Sequence, residues 1–445
     1  MNLALTVTNR HLIILIILGI CLRLMIACQF QPVEYPDSRD YVTLARVIQT
    51  WNFQQATERT PIYAVVLLFA GFNYYLVWLL QGILGIVTSV ATFSIIRKLT
   101  TNSNGAAFAG GLLATISLNQ LLFETALLTE TIATAMLSLI FLQIVKRNLF
   151  YTDNTANDSF LGLQASVLAL LHPRYLIVCL SLAMMYLLPC TSSTSIKRQL
   201  RRLTIFWGSA APLLLLWSFI NFMSTGYFGL SLSGNTTFAS HASGFVELAP
   251  SEYDDMKKIV ISYREKLRQE YTDAAIPFAI VHAHKDLLPT CGNSELKLSN
   301  RLAQMSATLY ANHPGKYLAS VSKAWLDFWS TARIGHEGYF SKTMKNAHLL
   351  PILDKCWSIQ DLFWSLVYLA LFVTGILCAW QYLKEDKSLV VCYTLLVIFT
   401  VTMTSIVQAM LTLGDNARYA LPFQPLMLTA NISYLCTRLN LPTRL

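Results

Sequence analysis

The chain has 445 residues, of which 54% are hydrophobic and only 13% charged, and its mean hydropathy is +0.48. Soluble domains carry about 25% charged residues, so the composition excludes an ordinary water-soluble enzyme, a disordered chain and a cysteine-stapled mini-protein. The formal net charge of +9 would suit a nucleic-acid binder if the cations formed a patch, but they cluster at the ends of apolar runs, as membrane topology requires.

About 20 apolar residues cross a bilayer core. Runs of this kind are predicted at 12–28, 74–96, 105–121, 126–145, 160–171, 175–188, 203–223, 359–383, 389–411 and 419–437. The expected fold is therefore an all-α polytopic membrane protein with about ten transmembrane helices. One set of alternate ends carries thirteen cations, among them Arg97, Lys98, Lys146, Arg147, Arg198, Arg201 and Arg202. The short turns on the other side hold Arg174 and Arg418 alone. By the positive-inside rule both termini are cytoplasmic, and 29–61 and 224–358 are external. The expected organisation is an N-terminal transmembrane module (1–223) with an external first loop (29–61), a mainly helical extracytoplasmic domain (224–358), and a C-terminal transmembrane module (359–445). The membrane is the plasma (inner) membrane, or that of the endoplasmic reticulum in a eukaryotic cell. Met25-Ile26-Ala27-Cys28 faintly resembles a lipoprotein cleavage site, but Arg23 interrupts the apolar stretch, so the first run is expected to remain as a span.

The first external loop contains Tyr35-Pro36-Asp37-Ser38-Arg39-Asp40-Tyr41. After Pro36 an amphipathic helix is predicted, with Tyr41, Leu44, Ala45 and Ile48 on one face. Asp37 at its start reads in two ways: as an N-cap, or as a general base on an acceptor hydroxyl at the water–lipid boundary. The loop ends in Glu58-Arg59-Thr60-Pro61, where Pro61 suits the first position of a further short helix. Glu130 is expected ~6 Å inside the outer boundary, counting ~1.5 Å per residue. An ionisable group there costs about 2.5–3.5 kcal/mol and faces a partner or a cavity. Either a structural pair with a nearby arginine such as Arg174 or a site carboxylate answers this, with Glu124 as a weaker competitor. Arg23, near the outer end of the first run, is expected to snorkel outward.

The external domain holds 14 Lys+Arg against 12 Asp+Glu and so offers no polyanion surface. Cys291 and Cys356 lie in it and allow one disulfide. His282-x-His284 is the only close histidine pair, and a solvated loop explains it better than zinc. Asn235-Thr236-Thr237 matches the N-glycosylation triplet. A helix is expected over 314–329, its aromatic side suiting either an interfacial roof or a plain domain core. There is no glycine-rich phosphate loop, so nucleotide chemistry has no support.

These motifs resemble, in order and in side of the membrane, the GT-C-fold glycosyltransferases, polytopic enzymes that take sugar from a polyprenyl-phosphate donor on the extracytoplasmic side. The resemblance rests on Asp37-x-x-x-Tyr41, Arg59-Thr60-Pro61, Leu128-Thr129-Glu130-Thr131, His172-Pro173-Arg174, Asn312-His313-Pro314-Gly315-Lys316-Tyr317, and Asp415-Asn416-Ala417-Arg418-Tyr419-Ala420-Leu421-Pro422. It covers nearly the whole chain except about 228–300. Within that group the chain is most similar to the lipid A aminoarabinose transferases and protein O-mannosyltransferases. Their acceptor-activating aspartate falls on Asp37, and their Glu-Lys-Pro-Pro motif, whose cation contacts donor phosphate, falls on Glu58-Arg59-Thr60-Pro61. The aminoarabinose transferases carry arginine where this chain has Asp40, so the phosphate needs another cation.

The resemblance implies Asp37 and Glu130 as catalytic carboxylates, and Arg59, Arg174, Arg418 and Tyr41 as the donor-phosphate site. It implies no required cofactor. Glu58 and the external histidines leave room for a divalent metal. Expected partners are a polyprenyl-phosphate sugar, an acceptor on lipid, protein or polysaccharide, and the bilayer, without nucleic acid. Two other classes share the topology: a glycan ligase or polymerase using a polyprenyl-pyrophosphate carrier, and a polar-lipid transporter or flippase. Inverted repeats and midplane-broken spans, the mark of a transporter, are not evident.

Overall fold

The structure, a computed structural model, describes residues 2–53, 59–187, 195–271, 273–332 and 344–438. Helices make up the fold, and among the described residues the one extended pairing is a parallel bridge between Val33 and Ala126. Helix α1 (Asn2–Gln29) leads to α2 (Pro36–Thr50), α3 (Pro61–Phe69) and α4 (Tyr74–Leu99). Pro36 and Pro61 open α2 and α3, where a missing N–H costs nothing. The predicted apolar face of α2 is buried at Tyr41, Leu44 and Ala45 and half-buried at Ile48. The chain continues through α5 (Asn104–Thr115), α6 (Leu118–Phe123), α7 (Glu130–Lys146), α8 (Thr155–Leu171), α9 (Leu176–Met185) and α10 (Ile196–Thr225).

The segment that follows packs around a hydrophobic cluster of its own. It is built from α11 (Ser233–Ala239), α12 (Asp254–Glu270), the short α13 (Ala279–His282) and α14 (His284–Leu287), and α15 (Glu295–Asn312), with Val260, Leu302, Met305 and Leu309 wholly buried. Pro314 then starts α16 (Pro314–Phe328). The chain closes with α17 (Leu350–Leu383), α18 (Leu389–Leu411), α19 (Asn416–Ala420) and α20 (Gln424–Arg438). The aromatic side of α16 docks onto this last group. The Tyr317 hydroxyl donates to the Met410 carbonyl (2.8 Å), Trp325 Nε1 donates to Ser405 Oγ (3.1 Å), and the Trp329 ring packs on Phe372 at 4.8 Å.

Among the described residues, five helical stretches are long and apolar enough to cross a membrane: Asn9–Gln29, Tyr74–Leu99, Ile196–Thr225, Leu350–Leu383 and Leu389–Leu411. The other predicted runs form shorter helices. The run at 105–121 is broken into α5 and α6, and those at 126–145 and 419–437 become α7 and α20, most of whose residues are buried in protein. Helix α17 begins at Leu350, ahead of the predicted 359, so the end of the supposed external loop is continuous with a long apolar helix. Cys291 and Cys356 are both free thiols. His284 Nε2 lies 2.9 Å from Glu295 Oε2, and among the described residues no three metal-ligating side chains converge. Asn235 sits inside α11 with its amide donating to Ser299 Oγ.

Between α6 and α7 the backbone over 124–129 is not helical although its residues are buried. Non-helical backbone deep in a membrane protein persists only where protein groups satisfy it. The Gln81 amide on α4 donates to the carbonyls of Glu124 (2.7 Å) and Ala126 (2.8 Å). Val33 N–H donates to Thr125 O, Leu127 N–H donates to Val33 O, and Ser38 Oγ donates to Leu127 O. Arg23 turns inward rather than outward: its Nη2 meets Glu124 Oε1 at 2.5 Å and its Nη1 donates to Gly19 O. Gly85 permits this pair, because a Cβ there would fall 1.8 Å from Glu124 Oε1. Glu124 is thereby committed to α1.

Gln81→Leu keeps the side-chain volume but removes the donor to two buried carbonyls. At about 1–3 kcal/mol for each such group, the expected loss is about 2–6 kcal/mol, read as a lower thermal unfolding midpoint in nanodiscs. A shift below about 1 kcal/mol would show that this amide does not hold the strip.

Candidate functional site

The elements that carry the predicted site residues come together at one end of the helix bundle. Asp37 is the second residue of α2, and Arg59 precedes Thr60 and Pro61 at the head of α3. Glu130 is the first residue of α7, His172 and Arg174 form the turn between α8 and α9, and Asp415 and Arg418 flank and occupy α19. Asp37 and Glu130 thus sit at helix N-termini, where unpaired N–H groups and the dipole favour a carboxylate. Pro at the first helical position fixes φ there and aims the side chains of the first turn.

Asp37 is not the N-cap. Tyr35 takes that place, and its N–H donates to Ser38 Oγ (2.9 Å), leaving the Asp37 carboxylate for side-chain partners. Arg59 Nη2 donates to Asp37 Oδ1 and Arg418 Nη2 to Asp37 Oδ2, both at 2.8 Å. Arg59 also grips Asp40 Oδ2 through Nε (3.1 Å) and Nη2 (2.8 Å). Arg418 reaches a second acid: its Nε lies 2.8 Å from Glu130 Oε1, and its Nη1 lies 3.4 Å from Asp415 Oδ2. Glu130 is 0% exposed, so a cation is obligatory there. One guanidinium therefore bridges the two predicted catalytic carboxylates.

Arg174 is held differently. Its backbone N–H and Nε donate to His172 Nδ1 (3.3 and 3.1 Å), and its guanidinium carbon lies 3.8 Å from the Tyr419 ring centroid. Its Nη1 and Nη2 are buried and make no hydrogen bond, with Glu130 Oε1 at 3.6 Å from Nη2. Burial, reinforced by Arg174, Arg59 and Arg418, pushes the His172 imidazole well below its ordinary value, which keeps the ring neutral and Nδ1 an acceptor. Tyr41 lies beneath the site: its ring is buried, 5.4 Å under the Arg59 guanidinium and 5.0 Å from Tyr63. It supports Arg59 from below rather than lining the open face. Glu58 lies outside the described residues.

The structure adds four residues to those read from the sequence. Asp40, seen only as a departure from the aminoarabinose transferases, is a direct partner of Arg59. His172 orients Arg174, and Tyr419 stacks on it. Asp327 on α16 accepts from the Asn416 N–H (2.9 Å), which ties α19 to α16. An aromatic next to an arginine in a short turn, and a histidine two residues before another, were the available signals for Tyr419 and His172.

The electrostatics of the carboxylates diverge. Burial alone would raise Asp37, but Arg59 and Arg418 override it and hold the carboxyl well below the ordinary carboxylate range. Asp415 is half-exposed by area yet crowded by protein atoms. That desolvation, opposed by Arg418 and helped by Glu130, Asp37 and Asp327, pushes it up to about 6.

The described helices, five of them containing stretches long and apolar enough to cross a membrane, carry this cluster at one end of their bundle. Solved structures match the chain in fold. One is the oligosaccharyltransferase of Archaeoglobus fulgidus, crystallised tethered through a disulfide bond to an acceptor peptide containing the NVT sequon. It has a TM-score of 0.51 and 12% identity, and the match covers 98% of this chain and 50% of that one. Another is the oligosaccharyltransferase AglB from the same archaeon, in complex with an inhibitory peptide and a dolichol-phosphate. Its TM-score is 0.52 at 12% identity, over 98% of this chain and 51% of that one. The chain thus spans about half the length of each. No protein-family model matches the chain, and no curated protein matches it in sequence. The fold likeness bears out the GT-C resemblance read from the motifs.

A carboxyl raised in the folded state binds its proton more tightly there than in the unfolded chain. Asp415 therefore favours folding at low pH, and that contribution is lost as the pH rises from about 4 through about 6. Asp415→Asn is expected to raise the unfolding midpoint at pH 7 and leave it unchanged at pH 4, measured in nanodiscs. An equal effect at both pH values would assign Asp415 an ordinary carboxyl.

Proposed function

We propose that the chain is an inverting membrane glycosyltransferase that moves a sugar from a polyprenyl-phosphate carrier to an acceptor hydroxyl on the extracytoplasmic side. In this reading both termini are cytoplasmic and the shorter helices α5–α9 and α20 complete a set of about ten membrane crossings. The first external loop and the domain at 224–358 together form the acceptor side. The observation that carries the proposal is the convergence of Asp37 and Glu130 with Arg59, Arg174 and Arg418 at one end of the bundle.

The chemistry follows from what these groups can do. The acceptor oxygen attacks the anomeric carbon as its proton passes to Asp37. The bond from that carbon to the phosphate oxygen breaks, and polyprenyl phosphate leaves with the electron pair. Guanidinium groups offset the charge that gathers on the departing phosphate. With Arg59 and Arg418 both on its carboxylate Asp37 is a poor base, because the two arginines hold it ionised. Donor phosphate competes for those same guanidiniums, loosens their hold and restores basicity when the substrate is in place. Arg174 Nη1 and Nη2 are buried without a hydrogen bond, Nη2 lying 3.6 Å from Glu130 Oε1, and so can turn to a phosphate oxygen. The dolichol-phosphate and acceptor peptide seen with the structural neighbours support a lipid phosphate on one side of the site and an acceptor on the other.

The test uses purified protein in nanodiscs with a panel of synthetic polyprenyl-phosphate sugars, reading donor binding and donor consumption separately. Wild type is expected to consume at least one donor. Asp37→Asn should still bind that donor while turning over at least ~100-fold more slowly, within the usual range for loss of a general base. Undiminished turnover in Asp37→Asn would remove the aspartate from the chemistry, and a failure of every lipid phosphate to bind would remove the proposal.

A further inference from the structure

We propose that Asp40 is an internal competitor for the donor phosphate, seated on the edge of Arg59 that the phosphate must occupy; this rests on the transferase reading above. The edge of a guanidinium formed by Nε and one Nη is the fork that grips phosphate or carboxylate. On Arg59 both nitrogens of that edge are taken by one atom, Asp40 Oδ2, at 3.1 and 2.8 Å. Asp37 and Asp40 stand three residues apart on α2, hence on one helix face, and they flank the same guanidinium.

The two carboxylates are not equivalent. Asp37 has a second arginine, Arg418, and its side chain is 28% exposed, whereas Asp40 has Arg59 and is 46% exposed. An exposed single ion pair contributes little to stability. The Asp40 side chain can therefore swing into water while Asp37 stays. The incoming phosphate takes the vacated edge, and no other part of the cluster has to move.

The consequence is selectivity. Asp37, Asp40, Glu130 and Asp415 outnumber Arg59, Arg174 and Arg418 by one. A bare anion, or the headgroup of an anionic phospholipid, meets this excess of negative charge and gains only the phosphate contact. A donor that also binds through its sugar and its prenyl chain has the extra contacts needed to displace Asp40. The competing carboxylate thus lowers affinity for all phosphates and discriminates against those with nothing else to offer. It also helps expel the product, which has lost its sugar.

The experiment measures binding of a polyprenyl-phosphate sugar and of free polyprenyl phosphate to the full chain in zwitterionic nanodiscs, with and without phosphatidylglycerol. Asp40→Asn is expected to bind free polyprenyl phosphate on the order of tenfold more tightly, with KM and kcat both lower and inhibition by phosphatidylglycerol gained. Asp40→Glu should behave as wild type. Asp40→Ser is run alongside so that a folding defect in one variant does not decide the result, and Asp273→Asn, an exposed acid paired with Arg268, controls for net charge. In an Arg59→Gln background the gain from Asp40→Asn should vanish, whereas a general charge effect would persist. Unchanged or weaker binding in both Asp40→Asn and Asp40→Ser, with wild type binding donor, overturns the inference and leaves the transferase reading standing. If wild type and both variants bind no lipid phosphate, the transferase reading falls and the inference falls with it.

Discussion

The geometry of the site depends on the side-chain amide of Gln81. Its Nε2 donates to two carbonyls of the buried, non-helical strip between α6 and α7, and its Oε1 accepts from the Tyr63 hydroxyl at 3.2 Å. The strip in turn pairs with Val33 and receives the Ser38 hydroxyl, so the start of α2 is tied to the start of α7. Tyr63 belongs to α3, whose head carries Arg59. One buried amide, fully hydrogen-bonded and free of net charge, thus fixes the relative positions of Asp37, Arg59 and Glu130. Neutral groups suit this task, because a charge at that depth would need a counter-ion of its own.

Around this scaffold the charges solve a desolvation problem. A carboxylate as buried as Glu130 persists only beside a cation, and Arg418 and Arg174 supply it from elements remote in the sequence. The cations are not interchangeable. Arg418 is enclosed by Asp37, Glu130 and Asp415; Arg59 is shared between two acids of one helix; Arg174 rests on Tyr419 and a neutral His172. Stacking on an aromatic face holds a guanidinium without neutralising it, which leaves Arg174 charged and its outer nitrogens open.

Much of this was legible one residue at a time. Asp37 and Arg59 stood out because each lies within two residues of a proline that opens a helix, Glu130 because an ionisable group inside an apolar run is costly, and Arg174 and Arg418 because they are the cations of the short turns on the cation-poor side. Periodicity placed the buried face of α2 and the aromatic side of α16. Pairings were not legible, since composition and spacing carry no information on which distant turn faces which. The partner of Glu124 proved to be Arg23, whose long side chain could as readily have reached for water. The number of crossings was hard to read for a related reason. Most residues of α7 and α20 are buried against other helices, and apolar sequence looks the same whether its neighbour is lipid or another helix, so pattern alone does not count crossings. Asp40 was visible as an anomaly, and only its contact with Arg59 gave the anomaly a physical meaning.

The ion pair between Asp37 and Arg418 joins residues 381 positions apart. A chain synthesised from its N-terminus places Asp37 and Glu130 long before residue 418 leaves the ribosome. In that interval the two acids share Arg59 and Arg174, and Glu130 lacks the cation that sits 2.8 Å from it in the finished fold. Until α19 packs, the cation left beside Glu130 is Arg174, 3.6 Å away. Packing of α19 supplies the second cation and joins Asp37 and Glu130 through one guanidinium. The cluster is therefore assembled from α2, α7 and α19 together, and no fragment that lacks α19 carries it whole.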